Sequence, residues 1–306
     1  MLATFSIVAC DGKAREWGVA VQSKFLAVGG IVPWAEANVG AIATQAYANT
    51  SFGPRGLAML KLGFSAEETL KKLLETDEGR EHRQVGIVDA HGRAAAFTGK
   101  ECYPWAGHIV GENFAVQGNI LVSRKTVEAM AQAFEGTRGP LWKRLLEALR
   151  AGQRAGGDRR GQQSAALVVV KEKGGYGEFT DRMIDLRVDD HPQPIEELAR
   201  LLDLHELYFG PTKRRVKLST ATLRRVQTML KALGYYKGAI HGKLDGATRQ
   251  ALVDFHNTEN LEMRLQKDSQ FLDARVLRFL EERYELQMRE SPHSRGSRTR
   301  RIPSRI

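Results

Sequence analysis

The order of strand-like and helix-like segments constrains the fold of this chain more than any other feature of its sequence. Three short apolar runs come first, two amphipathic stretches follow, and strands then alternate with helices through residue 207. This order predicts two β-sheets packed face to face between helical layers, although other α+β folds accommodate the same pattern. We predict strands over 4–11, 17–23, 39–46, 84–89, 94–98, 114–119, 164–170 and 177–188, and helices over 53–62, 65–77, 125–134, 140–151 and 194–207.

The first strand carries hydroxyl and thiol side chains almost at the amino terminus of the chain. Alternation along a strand places Thr4, Ser6 and Cys10 on one face. A terminal Thr can use its own α-amine as the general base that activates its side chain. The alternative is an ordinary strand that begins with a β-branched residue. Because Leu2 is too large for ordinary removal of Met1, a free Thr4 amine requires another cleavage.

A series of segments in this order resembles the DUF1028 family, which is placed in the N-terminal nucleophile (Ntn) hydrolase superfamily. The resemblance covers about residues 4–209 and implies a four-layer αββα sandwich with Thr4 as the nucleophile. It brings no known substrate. The matching segments are TFSIVACD, GVAVQS, VPWAEANVGAIATQA, FGPRGLAML, RQVGIVDAHGRAAAFTG, VQGNIL and AGGDRRGQQSAALVVV.

Two further segments are candidates for catalytic roles beside Thr4. Gln117, Gly118 and Asn119 could supply amide donors to a developing oxyanion, and the alternative is a tight turn that needs glycine. Glu36 follows Trp34, and an apolar ring beside a carboxyl group favours a raised pKa suited to proton transfer. The alternative for Glu36 is a solvated surface carboxylate.

Polar residues at strand ends and in a glycine-rich loop are candidates for substrate binding. The loop 156–161 places two arginines between glycines, where they could bind a carboxylate or phosphate. A surface ion pair explains the loop equally well, and Lys24 is also a candidate base or a solvated strand end. The predicted substrate-binding residues are Gln22, Ser23, Lys24, Thr44, Gln45, Asp158, Arg159 and Arg160.

Neither a cofactor nor a metal is predicted. The sequence has no GxGxxG after a strand and no GKS or GKT motif. His82, His91 and His108 lack metal-ligand spacing and acidic neighbours. The two cysteines, Cys10 and Cys102, are far apart in sequence, which favours reduced thiols.

The net positive charge of the chain lies entirely in its last third. Residues 213–306 contain 21 Lys and Arg against 10 Asp and Glu, whereas residues 1–212 contain 25 against 26. This third could therefore contact an anionic polymer, a membrane surface or nucleic acid. Its arginines are not interleaved with aromatic residues, so we predict no specific nucleic-acid binding.

The basic third also resembles a small helical peptidoglycan-binding domain. The resemblance rests on a helix over 222–236 that ends in LGYY, a G-x-I-x-G loop and a helix that begins at a Thr248 cap. It departs at His241, where an acid is usual, and at Asp245-Gly246, and these changes put the ligand in doubt. We predict a third helix over 269–284 and disorder over 291–306.

These observations predict a DUF1028 or Ntn-hydrolase-like domain over 1–210, a peptidoglycan-binding-like helical domain over 211–290 and a disordered basic tail over 291–306. The leading interpretation is an amide-bond hydrolase acting on a small amide or peptide, directed to the cell wall by residues 213–290. The alternative is a non-catalytic binding or scaffold protein of the cell envelope. No segment resembles a signal peptide or membrane span, so we expect a cytoplasmic chain, with envelope association and a homo-oligomer left open.

Overall fold

The computed structural model of the protein describes residues 4–266 and 270–290. The predicted disorder of 291–306 lies outside these residues, as does Ser269 at the predicted start of the third C-terminal helix. Internal contacts divide the chain into two units, Met1–Leu202 and Asp203–Ile306, with the division inside the fifth helix. In the described parts of the chain, no helix is long and apolar enough to cross a membrane.

Two antiparallel sheets and five helices account for the first unit and the start of the second. The larger sheet has the order β10-β9-β2-β1-β8-β7 and the smaller the order β3-β4-β5-β6. The strands are β1 Thr4–Asp11, β2 Glu16–Ser23, β3 Pro33–Glu36, β4 Gly40–Ala46, β5 Arg83–Asp89, β6 Ala94–Thr98, β7 Gly107–Gly111, β8 Phe114–Asn119, β9 Ser164–Val170 and β10 Arg182–Val188, and the helices are α1 Phe52–Lys61, α2 Ala66–Glu75, α3 Lys125–Gly136, α4 Leu141–Arg154 and α5 Pro194–Tyr208.

Three hydrophobic clusters separate the layers of the first unit. One cluster fills the space between the sheets and includes Val8, Val19 and Val88. A second lies between the larger sheet and helices α3 and α4, and a third lies between the smaller sheet and helices α1 and α2. Alternation explains this division, because Ile7 of β1 packs toward the helices while Val8 packs toward the other sheet. The predicted mixed α+β fold is confirmed, and its assignment to the Ntn-hydrolase superfamily stays a prediction.

Local sequence signals explain most element boundaries. A capping box begins α2, because the Ser65 hydroxyl accepts from the Glu68 amide and the Glu68 carboxylate accepts from the Ser65 amide. The last strand begins at Arg182 rather than at residue 177, since a short 3₁₀ turn over Tyr176–Glu178 places Gly177 at a φ of 62°.

Two strands of the first unit were not predicted. β3 begins with a proline and is only half-buried, and β7 has glycine at both ends and pairs only with β8 at the edge of its sheet. Such edge strands lack the run of β-branched, buried residues by which β9 was recognised.

After α5, the described residues of the second unit form three α-helices and one small sheet. Strands β11 Arg215–Lys217 and β12 Phe271–Asp273 pair antiparallel, and the helices are α6 Thr220–Ala232, α7 Gly246–Thr258 and α8 Ala274–Glu290. The predicted helical unit is confirmed and the two-stranded sheet is an addition. The third helix starts at Ala274 rather than at residue 269, because residues 271–273 form β12. The cap of α7 is Asp245, whose side chain accepts from the Thr248 amide, rather than Thr248 itself.

The buried guanidinium of Arg264 joins the chain segments of the second unit. The side chain is only 1% exposed, and its Nη1 lies 2.7 Å from Asp273 Oδ2. Its Nε donates to the Leu207 carbonyl at 2.6 Å, and Nη2 donates to the Glu206 carbonyl at the end of α5. These carbonyls end a helix and lack intrahelical partners, so the arginine satisfies them while it pairs with the carboxylate.

Thr212 completes the environment of the buried carboxylate. Its hydroxyl donates to Asp273 Oδ2 at 2.6 Å. Burial raises the pKa of Asp273, but the hydrogen bonds from Thr212 and Arg264 outweigh it and hold the pKa below its ordinary value. Asp273 is therefore a carboxylate at neutral pH and depends on Arg264 for compensation.

We predict that Arg264→Met lowers the free energy of unfolding of the second unit by about 3–5 kcal/mol, because it leaves the Asp273 carboxylate buried without its cation. The measurement is hydrogen exchange over peptides from residues 203–290. Arg275→Met is the matched control, since Arg275 pairs at 3.7 Å with the exposed Asp203. The control should cost less than about 1 kcal/mol, and equal effects would contradict a special role for Arg264.

Candidate functional site

Polar side chains gather at the end of the larger sheet where β1 begins. Thr4 lies opposite Ser23 of β2 on one side and Asn119 of β8 on the other, and Ser6 lies opposite Gln117. Because alternate residues share a face, these side chains point toward the smaller sheet, as Val8 does farther along β1. The site therefore lies between the two sheets.

The smaller sheet contributes two glutamines from paired positions of its central strands. Gln45 of β4 lies opposite Gln84 of β5, and the Gln45 Nε2 donates to the Gln84 Oε1 at 2.8 Å. The Ser6 hydroxyl donates to Gln45 Oε1 at 2.6 Å and accepts from Gln117 Nε2 at 2.6 Å. Asn119 Nδ2 donates to Gln84 Oε1 at 3.0 Å. We call Ser6, Gln45, Gln84, Gln117 and Asn119 the glutamine cluster.

The glutamine cluster connects the two sheets through uncharged side chains. All five side chains have no solvent exposure. Within residues 4–266 and 270–290, no ionisable side chain forms a hydrogen bond with a member of the cluster or with Thr4. Buried amides are stable only when their donors and acceptors are paired, so this cluster fixes how the sheets face each other.

Thr4 lies beside the cluster and is itself fully buried. Its Oγ1 donates to the Ser23 hydroxyl at 3.1 Å, and its carbonyl accepts from Gln45 Nε2 at 3.3 Å. Several amide atoms at this end of the fold have no hydrogen-bond partner in the described residues, among them Asn119 Oδ1 and Gln117 Oε1. Unsatisfied buried polar atoms require an explanation, and a bound ligand or water is one.

Gln84 was missed by the sequence analysis, which treated it only as the start of a strand. The available signal was a glutamine in a strand of otherwise small and apolar residues, at the strand end that pairs with Gln45. A buried amide at such a position needs partners from another layer, which single-strand patterns do not reveal.

The other predicted substrate-binding residues have local partners. Lys24 donates from its backbone N–H to Asp158 and from Nζ to the Gln162 carbonyl. Asp158 is buried and also accepts from Arg160 Nη2 at 3.0 Å, while Arg159 donates to the Pro104 carbonyl. The loop therefore closes over the ends of β2 and β8, since Asp158 also forms a bridge with Leu121. The ion pair between Asp158 and Arg160 is the one expected under the alternative interpretation of this loop.

Three other residues predicted for the site either face away from Thr4 or form hydrogen bonds that involve the backbone. Gln22 alternates to the helix-facing side of β2, and both of its amide atoms lack partners in the described residues. The Thr44 hydroxyl donates to the Asn49 carbonyl after β4. Gly118 is a paired residue of the sheet, opposite Phe5, and its carbonyl accepts from Gln84.

Glu36 lies at the opposite end of the smaller sheet from the glutamine cluster. It pairs with Gly40, which is five residues from Gln45 along β4, a separation of about 17 Å for an extended strand. Its carboxylate forms an ion pair with Lys61 Nζ at 2.5 Å. The structure does not bring Glu36 together with Thr4.

Neither cysteine is poised to act as a nucleophile. Burial raises the pKa of Cys10 to about 11, with a further contribution from Asp11, and burial likewise raises the pKa of Cys102 to about 11. Both thiols are free, and at neutral pH they stay protonated. The described residues also contain no group of His, Cys, Asp and Glu that could hold a metal ion.

Comparisons with known proteins agree with the two-unit organisation. Residues 4–198 match the model of a family of unknown function, DUF1028, and residues 208–280 match the model described as a putative peptidoglycan binding domain. The crystal structure of a DUF1028 protein from Silicibacter pomeroyi is similar, with 33% identity, a TM-score of 0.62 and coverage of 67% of this chain and 87% of that chain. A search of functionally curated proteins finds no match.

We predict that Ser6→Ala lowers the free energy of unfolding of the first unit by about 2–3 kcal/mol, because Gln45 and Gln117 lose a buried partner. Urea unfolding followed by tryptophan fluorescence measures this, since all four tryptophans lie within the first unit. Ser51→Ala removes an exposed hydroxyl bonded to Asn49 and should cost less than about 1 kcal/mol. Equal losses in the two variants would contradict the role assigned to Ser6.

Proposed function

Because this chain belongs to the DUF1028 family, and because its C-terminal residues match a peptidoglycan-binding domain, we propose a cell-wall-directed amide hydrolase of the Ntn type. The catalytic part of this proposal rests on one observation, which is that the hydrogen-bond partners of Thr4 are uncharged. In the described residues the Thr4 hydroxyl lies among amides and hydroxyls, and no ionisable side chain forms a hydrogen bond with it. The α-amine of Thr4 would supply that base if the chain were cleaved after Ala3.

The proposed reaction uses Thr4 in two steps. The α-amine takes the hydroxyl proton as Thr4 Oγ1 attacks the carbonyl carbon of the substrate amide, and the leaving amine receives a proton as the C–N bond breaks. Water then hydrolyses the resulting ester and releases the carboxylic acid. Of the three predicted oxyanion residues, Asn119 lies opposite Thr4, and only one Nδ2 hydrogen is needed for its bond to Gln84. Its second N–H is the proposed oxyanion donor.

A specific observation also favours the non-catalytic alternative. The Thr4 side chain has no solvent exposure, and Met1, Leu2 and Ala3 precede it in the sequence. An uncleaved chain would lack both a terminal amine and an open hydroxyl at Thr4. The fold would then serve binding or scaffolding, with the glutamine cluster as a structural element.

We predict that a chain beginning at Thr4 hydrolyses members of a panel of N-acyl amino acids and short peptides. In that chain Thr4→Ala should lower kcat by more than about 1000-fold, while Thr4→Ser retains measurable turnover because it keeps a hydroxyl and an amine. Mass spectrometry of each preparation establishes its amino terminus. Turnover by a chain with an intact Met1, or by Thr4→Ala, would overturn the proposed mechanism.

The wall-directed part of the proposal rests on the second unit. Gln227 of α6 accepts from the His241 and Gly242 amides and donates to Thr248, so it holds the loop between α6 and α7 in one conformation. His241 Nε2 also lies 3.1 Å from Asp245 Oδ2. A polar loop ordered in this way, on a unit rich in Lys and Arg, suits a sugar or peptide surface that carries anionic groups.

We predict that the chain cosediments with purified peptidoglycan and that a chain ending at residue 290 still does so at high salt. Exposed charges are screened beyond about 8 Å at physiological ionic strength, so a polycation alone would lose binding. Gln227→Leu should weaken the binding of both chains, and Gln250→Leu, on the exposed face of α7, is the matched control. Binding by the full chain only, and only at low salt, would reduce the interaction to the arginines after residue 290.

A further inference from the structure

A cleft of about 500 Å³ lies beside the glutamine cluster, between the ends of β6 and β7. It is lined by residues 98–100, 102 and 104–108, and we call it the β6–β7 cleft. Two of its lining residues contact the cluster directly, because Gln84 Nε2 lies 2.9 Å from Thr98 Oγ1 and 3.2 Å from the Gly107 carbonyl. The buried amides between the sheets therefore form part of the wall behind the cleft.

The hydrogen bonds from the cluster to the cleft all run in one direction. Gln117 donates to Ser6, Ser6 donates to Gln45, and Gln45 donates to Gln84. Gln84 then donates to Thr98, whose hydroxyl oxygen lies 2.9 Å from His108 Nδ1. An amide nitrogen can only donate, so the Thr98 hydroxyl cannot donate to Gln84 Nε2 and its proton is available to another acceptor.

The Thr98 proton can reach His108, because Thr98 Oγ1 lies 2.9 Å from Nδ1. When the Thr98 hydroxyl donates to Nδ1, that nitrogen is unprotonated and the ring proton lies on Nε2, whereas the same oxygen can instead accept from an Nδ1–H. Desolvation lowers the pKa of His108, which favours the neutral ring at neutral pH. In the first arrangement His108 presents Nε2–H as a hydrogen-bond donor on the wall of the cleft.

The side chains that line the cleft present donors and an apolar surface, and none of them is Asp or Glu. Lys100 adds an ammonium group and Trp105 adds an indole ring with one N–H donor. Arg159 lies next to the cleft, since its guanidinium donates to the Pro104 carbonyl. The nearby Glu81 carboxylate accepts from the Lys100 backbone N–H and lies 3.8 Å from Arg80.

We propose that the β6–β7 cleft binds a small organic carboxylate with an apolar body. The carboxylate accepts hydrogen bonds from His108 Nε2–H and from the Lys100 ammonium, and the apolar body packs on the Trp105 ring. Charge-assisted bonds of this kind are stronger than neutral ones and give preference for the anion over its amide. The proposal concerns binding alone and holds whether or not Thr4 is catalytic.

The first test compares two probes that differ only in the anionic group, N-acetyl-L-phenylalanine and N-acetyl-L-phenylalanine amide. Each is titrated into the full chain labelled with ¹⁵N, and the indole resonance of Trp105 is assigned with Trp105→Phe. The carboxylate should shift that resonance and bind about 10-fold more tightly than the amide. Equal affinities, or no shift with the carboxylate, would overturn the proposal.

Two lysine variants separate the effect of an ammonium group in the cleft from the effect of the net charge of the chain. Lys100→Met should weaken binding of the carboxylate about 10-fold and leave that of the amide unchanged. Lys13→Met is the matched control, because Lys13 is exposed in the turn after β1 and does not line the cleft. Equal losses in both variants would show that the anion responds to net charge, which contradicts a built site.

The second test addresses the tautomer of His108 through its imidazole ¹⁵N shifts at about pH 8, where an ordinary imidazole is neutral. The native chain and Thr98→Ser should both show the Nε2–H tautomer, since each retains a hydroxyl between Gln84 and His108. Thr98→Val should shift the ring toward a mixture of tautomers and weaken carboxylate binding. An Nδ1–H tautomer in the native chain would refute the direction of the hydrogen bonds and the donor assigned to His108.

Discussion

The first unit depends on the burial of glutamine side chains between two sheets. An apolar interface would hold the sheets together in many registers, whereas the bonds that cross between the sheets, from Ser6 to Gln45 and from Asn119 to Gln84, are satisfied in only one. The valines farther along the same interface supply most of the hydrophobic stabilisation, since Val8, Val19 and Val88 are fully buried. The amides add orientation, and they do so at the end of the sheet where the hydroxyl of Thr4 also lies.

The second unit is held together by a buried ion pair, whereas the first unit uses buried amides. It is small, and its hydrophobic cluster is drawn mainly from helices α6, α7 and α8, with Val216 and Leu272 from the two short strands. Arg264 and Asp273 tie distant segments together from inside this cluster, with the end of α5 as a third partner. The residues that match a putative peptidoglycan binding domain therefore form a core that includes a buried ion pair.

The sequence was sufficient to predict what depends on local pattern. The mixed fold, the capping box at Ser65 and the helical second unit follow from periodicity and from capping chemistry. Gln45 was recognised as a candidate because it is a polar residue at the end of a core strand, and Asn119 because its side-chain amide can donate to an oxyanion. Gln84, Arg264 and the β6–β7 cleft could not be predicted, since each depends on contacts between segments far apart in the chain. Glu36 was predicted as a catalytic residue from its neighbours in sequence, but those neighbours gave no information on its distance from Thr4.

The single direction of the hydrogen bonds from Gln117 to His108 constrains how relatives of this protein can vary. Each interior member must both accept and donate, a requirement that an amide or a hydroxyl meets and a carboxylate or an aliphatic side chain does not. Glutamate in place of Gln45 would present an acceptor oxygen to Gln84 Oε1 and would set two oxygens against each other. A change that removes the donor or the acceptor at one position therefore requires a compensating change at its neighbour. Ser6, Gln45, Gln84 and Thr98 should be inherited as a group even though they belong to four different strands.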